Sequence, residues 1–118
     1  MDHGLELLLN LHGVKFTYRN GYWYEIIAYQ VAKSLQRPHG IRYSLTLHDR
    51  HCQRIFGLDN SHASVSDKSG PGKKKRLEWD HIHPALNLKG TAYQFVNAQQ
   101  LIDDFFKAVD LILGDFAR

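Results

Sequence analysis

Ile41-Arg42-Tyr43-Ser44-Leu45-Thr46-Leu47-His48 alternates without a break: Ile41, Tyr43, Leu45 and Leu47 are apolar, and Arg42, Ser44, Thr46 and His48 are polar. A period of two sets one group on a buried face and the other on an open face, the pattern of a half-buried strand. The flanking segments repeat it. Upstream, Val14, Phe16 and Tyr18 alternate with Lys15, Thr17 and Arg19. Asn20-Gly21 then offers a two-residue type I′ hairpin turn, because both residues tolerate positive φ. Tyr22 to Val31 returns as a second strand. It is apolar on both faces, with Tyr22, Tyr24, Ile26 and Ala28 on one and Trp23, Ile27, Tyr29 and Val31 on the other. A central or doubly covered strand has that composition. Downstream, Asp49-Arg50-His51-Cys52 reads as a four-residue turn and Gln53 to Leu58 as a fourth strand. Gly57 within it marks a bulge or a close backbone approach. Lys75 to His81 is expected to pair with it as a fifth strand, and Thr91 to Phe95 is a short sixth.

The two ends of the chain differ in clarity. In residues 3–11 the leucines are too dense to separate a short helix from a strand. From Ala98 to Leu113 several helix signals agree. Asn97 is a good N-cap, Gln100 stands three residues on as in a capping box, and Val96 with Leu101 can form a hydrophobic staple. Ala98, Leu101, Ile102, Phe105, Val109 and Ile112 make one apolar stripe, and Gly114 is a natural stop. Phe106 and Leu111 fall off that stripe and are available to a partner or a second subunit. The expected fold is α+β: an antiparallel sheet of about five to six strands with a long C-terminal helix packed on one face. Residues 1–118 form a single domain, with 64–75 as a flexible basic loop.

Composition narrows the function. The 118 residues are 43% hydrophobic and 23% charged, which suits one globular domain and not a disordered chain. No uninterrupted apolar run is long enough to cross a membrane. Residues 1–13 lack the basic n-region and the cleavage site of a secretion signal. The lone Cys52 forms no internal disulfide, in keeping with a cytoplasmic protein. Net charge is +3, with Lys73, Lys74, Lys75 and Arg76 adjacent and Asp103, Asp104, Asp110 and Asp115 near the C-terminus. A basic loop of this kind meets a polyanion or simply keeps the protein solvated.

Chemistry-bearing residues gather in two runs, Asp59-Asn60-Ser61-His62 and Asp80-His81-Ile82-His83. On a strand His81 and His83 share a face, and such a pair can hold a metal or place a base beside a second donor. The same histidines read equally as solvent-facing residues of an edge strand. Asp59 and Asn60 read equally as a turn whose side chains bond their own backbone. Asp80 can pair with Arg42 or Arg54, and Arg42 can clamp a phosphate through its planar fork of donors or stand as an ordinary surface arginine. Tyr22, Trp23, Tyr24 and Tyr29 can stack on bases or fill the core. No HExxH or paired CxxC spacing points to a bound metal, and no phosphate-loop or dinucleotide motif is present. If the imidazoles, cations and carboxylates converge, the set suits RNA cleavage by internal transfer without a metal or another cofactor. Asp59, His62, Asp80, His81, His83 and Arg42 are then the candidate catalytic residues, and Lys73, Lys74, Lys75 and Arg76 the RNA-binding ones.

Several stretches together resemble TumE-family toxins: Arg37 to Asp49, Arg54 to Ala63, Trp79 to His83, and Tyr93-Gln94-Phe95 with Ala98 to Phe106. The similarity runs in order along nearly the whole chain. It implies a small cytoplasmic toxin of a prokaryotic toxin–antitoxin module, with a helix-turn-helix antitoxin as partner and RNA as target. The family is grouped with RelE-like mRNA-cleaving toxins, although here the long helix comes last and not first. The family motifs map onto Asp59, His62, Asp80, His81 and His83. Pro84 departs from the pattern, which has a basic residue there. Two other readings remain open: a toxin that only binds nucleic acid or a partner, a homodimer included, and a metal-dependent nuclease or phosphotransferase.

Overall fold

The alternation that opens at Ile41 is realised as strand β3, Ile41–His48, whose four apolar residues are buried and whose four polar residues are half-buried. In the computed structural model it is the centre of an antiparallel meander. The structure describes residues 3–35, 37–60, 64–65, 77–78, 81–83 and 91–114, and between 61 and 92 the description is of backbone pairing alone. Helix α1 spans His3–Asn10, followed by β1 (Val14–Thr17), β2 (Trp23–Gln30), β3 and β4 (Arg54–Asp59). Four short segments come next: β5 (Ser64–Val65), β6 (Leu77–Glu78), β7 (His81–His83) and β8 (Thr91–Ala92). Helix α2, Ala98–Leu113, closes the chain.

The sheet is built on four strands, β1-β2-β3-β4, and not on the five to six expected. Past β4 the ladder continues only as the three residues of β7 and the two of β8. The expected fifth strand divides. Leu77–Glu78 pairs with Ser64–Val65 in a separate two-stranded ladder, and it is His81–His83 that pairs with β4. The expected sixth strand reaches only Ala92. The basic run 73–76 lies outside the described residues, as does the rest of 66–76 in the expected flexible loop.

One face of the sheet carries the core. Ile26 and Ala28 from β2, the four apolar residues of β3, and Phe56 and Leu58 from β4 meet Leu8 of α1 and the stripe of α2. The dense leucines before residue 11 thus resolve as a helix. A Cβ on Gly4 would lie 2.7 Å from the Gln99 Cβ and 2.8 Å from the Gln99 backbone nitrogen. Only glycine lets α1 approach the start of α2 that closely. Helix α2 begins as its sequence indicates, with Asn97 accepting from the Gln100 N–H at 2.8 Å. It ends at Gly114, whose φ is 57°. Three expectations for this helix are corrected. Val96 is 63% exposed, so it does not staple onto buried Leu101. Leu113, and not Ile112, completes the buried stripe. Phe106 is not a free docking residue: its ring meets Tyr24 edge-on at 5.3 Å and packs against the core.

The first hairpin also differs from expectation. Asn20 does not take positive φ; Gly21 does, at 88°. Tyr18 N–H donates to the Tyr22 carbonyl at 2.7 Å, and Gly21 N–H to the Tyr18 carbonyl at 3.0 Å. This is a three-residue loop closed by a glycine in left-handed conformation, and the Asn20 side chain accepts from the Tyr22 N–H instead of occupying a type I′ corner. The β3–β4 turn matches its reading. The Asp49 carboxylate accepts from the His51 and Gln53 N–H groups at 2.8 and 3.0 Å, and Cys52 carries the positive φ of 65°.

Candidate functional site on the sheet face away from the helices

The face of the sheet turned away from the helices is assembled by register. Across it, Ile27 stands opposite Ser44, Ser44 opposite Asp59, and Asp59 opposite His81. One step along, Glu25, Thr46, Gly57 and His83 occupy successive strands in the same way. Opposed positions of an antiparallel ladder lie on one face with Cβ atoms about 4.5–5.5 Å apart. Arg42 opposes Tyr29 and is two residues from Ser44 on β3, so it borders Asp59 diagonally. Register therefore brings four of the expected site positions together: Arg42, Asp59, His81 and His83. His62, Asp80 and Lys73, Lys74, Lys75 and Arg76 lie outside the described residues. No helix among the described residues is long and apolar enough to cross a membrane.

Asp59 is the last residue of β4 and is buried, not a turn residue. Asn60 explains why. It is fully buried, and its side chain stands in for a strand backbone: Oδ1 accepts from the Tyr43 N–H at 2.9 Å and Nδ2 donates to the Ile41 carbonyl at 2.7 Å. Its own N–H donates to the Tyr43 carbonyl at 3.1 Å, and its carbonyl accepts from the Arg37 guanidinium at 2.7 Å. The amide extends the β3–β4 ladder one residue past its formal end. Asp59 is held as firmly as a mid-strand residue.

A second group gathers on this face around Trp23, whose grouping with Lys15 and His48 the sequence reading did not draw. The Trp23 and His48 rings stack at 3.9 Å with an interplanar angle of 11°, and the Lys15 ammonium lies 4.2 Å from the Trp23 ring centre. Trp23 is thus occupied and does not offer a bare ring to a base; Tyr24 is likewise taken up by Phe105 and Phe106, and Tyr29 meets His12 edge-on. His48 Nε2 is 2.9 Å from the Thr46 hydroxyl, and the Cys52 backbone faces the same ring. Burial holds the His48 imidazole below its usual pKa. Glu25 and the Cys52 backbone oppose that shift, and Arg54 and Lys15 reinforce it. Register alone could have revealed this group, since nothing in the spacing of Lys15, Trp23 and His48 marks them as neighbours.

The family model described as Toxin TumE matches residues 10–113. The chain belongs to the TumE toxin family. The match takes in β1 to β4 and α2, hence both the buried face and the face carrying Arg42, Asp59 and His81. No curated protein and no solved structure matches this TumE-family chain.

Proposed function

We propose that this TumE-family chain is the toxin of a prokaryotic toxin–antitoxin pair and that it cleaves RNA in the cytoplasm without a metal. The observation that carries the reading is the row Ser44–Asp59–His81 with Arg42 beside it, on the side of the sheet away from both helices. At that separation a carboxylate can orient an imidazole, and a guanidinium can hold a phosphodiester. The step is internal transfer. His81, oriented by Asp59, takes the proton of a ribose 2′-hydroxyl. The 2′-oxygen attacks phosphorus, the P–O5′ bond breaks, and a second acid protonates the departing 5′-oxygen. His62 and His83 are the candidates for that acid and Asp80 for a supporting carboxylate. Arg42 stabilises the charge on the phosphorane. Lys73, Lys74, Lys75 and Arg76 supply attraction to the RNA backbone. A helix-turn-helix antitoxin is the expected partner.

The test is incubation of the purified protein with a defined single-stranded RNA, with and without EDTA, beside His81→Ala and Asp59→Asn. Cleavage in EDTA that leaves 2′,3′-cyclic phosphate ends, lost in both variants, is expected. Cleavage abolished by EDTA, or unchanged in His81→Ala, refutes the reading.

A further inference from the structure

Strand β4 is not regular. Leu47 opposes Phe56, but His48 opposes Arg54, so Ile55 is an extra residue and the strand bulges there. Strict alternation would set Arg54 with Phe56 and Leu58, on the core side. The bulge turns it to the other face, where it stands opposite His48. Bulges commonly re-aim a side chain in this way next to functional sites. The Arg54 side chain then runs toward Gly57: its Cδ is 3.3 Å from where a Gly57 Cβ would be, and the Thr46 Cγ2 is 3.4 Å from the same point. Gly57 is itself buried, and the absence of its side chain lets the Arg54 stem lie against the strand beside Thr46. Arg54 makes no ion pair or hydrogen bond with the described residues, and Thr46 is half-buried beside it.

We infer that Arg54, seated over Gly57 beside Thr46 and His48, anchors a subsite for a phosphodiester of the RNA strand. It would hold the phosphate next to the one at Asp59–His81. The inference rests on the RNA-cleaving reading and adds to it a second anchoring point. Two observations favour a phosphate. Arg54 supplies a planar fork of donors without a carboxylate partner among the described residues. The bulge and the missing Gly57 side chain together seat its stem on the face that carries Arg42 and Asp59. The spacing also fits. Gly57 and Asp59 are two strand residues apart, about 6.6–6.8 Å, on the order of the step between successive phosphates of an extended single strand.

The experiment uses a fluorescein-labelled, fully 2′-O-methylated single-stranded RNA, which binds but cannot be cleaved. Affinity is measured by anisotropy over a salt series for the wild type, Arg54→Gln, Thr46→Val and Arg50→Gln, all checked for folding by circular dichroism. Trp23 emission is followed in a Trp79→Phe background, where it is the remaining indole of two. Arg54→Gln should weaken binding about tenfold and reduce the slope of log affinity against log salt by about 0.7, one phosphate contact on a single strand. Thr46→Val should weaken it several-fold, Arg50→Gln should match the wild type, and the oligonucleotide should shift Trp23 emission. Wild-type binding with an unchanged slope in Arg54→Gln overturns the subsite and leaves the cleavage reading standing. Emission that responds to inorganic phosphate alone but not to the oligonucleotide overturns the assignment to RNA. Wild type that binds with the expected Arg54 dependence yet never cleaves native RNA supports the subsite and refutes the catalytic reading.

Discussion

Replacing Asn60 by alanine removes two hydrogen bonds from groups that cannot reach water. The Tyr43 N–H and the Ile41 carbonyl both lie on β3, and both residues are buried. Leaving a buried polar group unpaired costs about 1–3 kcal/mol. The two losses together come to about 2–6 kcal/mol, a large part of the roughly 5–15 kcal/mol that holds a small domain folded. For a chain of this length that corresponds to a fall in Tm on the order of 10–20 °C. Thermal and urea denaturation followed by circular dichroism would measure it. Asn60→Asp is the informative companion. A carboxylate keeps the acceptor for the Tyr43 N–H but opposes the Ile41 carbonyl with a second acceptor, whereas its protonated form can donate there. Asn60→Asp should therefore be strongly destabilised at neutral pH and recover in part as pH falls. If Asn60→Ala melts within about 2 °C of the wild type, a cost below roughly 0.5 kcal/mol, the bracket does not hold the end of β4 and the reasoning fails.

Three further outcomes follow from the same geometry. Asn97→Ala removes the cap on α2 and should cost about 1 kcal/mol in urea denaturation, with Asn97→Ser close to the wild type. Gly21→Ala places a Cβ at φ 88° and 2.9 Å from the Arg50 Cβ, so it should destabilise by about 1 kcal/mol or more, and Asn20→Gly, which loses the bond from the Tyr22 N–H without any gain in φ, should also destabilise, by about 1 kcal/mol. The depressed pKa of His48 gives stability a pH dependence of known sign. The unfolded imidazole, near 6.5, binds a proton before the folded one does, so stability should fall as pH drops below about 6.5. His48→Gln should flatten that part of the profile; an unaltered profile would show that the imidazole facing Lys15, Trp23, Glu25 and Arg54 is not the group responsible.

What the sequence made legible was what repeats. β3 and α2 were readable because each carries one uninterrupted period, and the Asp49 and Asn97 caps because a single side chain satisfies a nearby backbone N–H. What escaped has no period. Asn60 bonds backbone seventeen and nineteen residues away, and local sequence cannot distinguish that from an Asx turn. A turn therefore stood as one of two equal readings for Asp59, which is the last residue of a strand. Phe106 falls off the stripe of α2, and no local pattern shows what meets it there. In the fold Phe16, Tyr18 and Tyr24 form an aromatic shelf, with Phe106 resting on Tyr24. The convergence of Asp59 with His81 was expected on other grounds, but through a fifth strand starting at Lys75. The ladder that creates it starts six residues later.

Arg54 is the sharpest case, because there the sequence pattern gives the wrong face. Arg54, Phe56 and Leu58 alternate, and alternation alone buries all three. Burying an arginine without a partner in that core would cost several kcal/mol, whereas adding Ile55 as an extra residue costs one ladder bond at most. The bulge is the cheaper solution, and Ile55 then packs against the core in place of the cation. The same local conflict that makes β4 irregular thus sets a guanidinium on the face where Arg42, Asp59 and His81 already stand. Asn60 closes the strand at the far end of that irregularity. Between the bulge and the bracket, Phe56 to Asp59 is fixed at both ends, and a residue held from both sides keeps its orientation without help from a ligand. Preorganisation of this kind is what a transferred phosphoryl group requires of the groups around it.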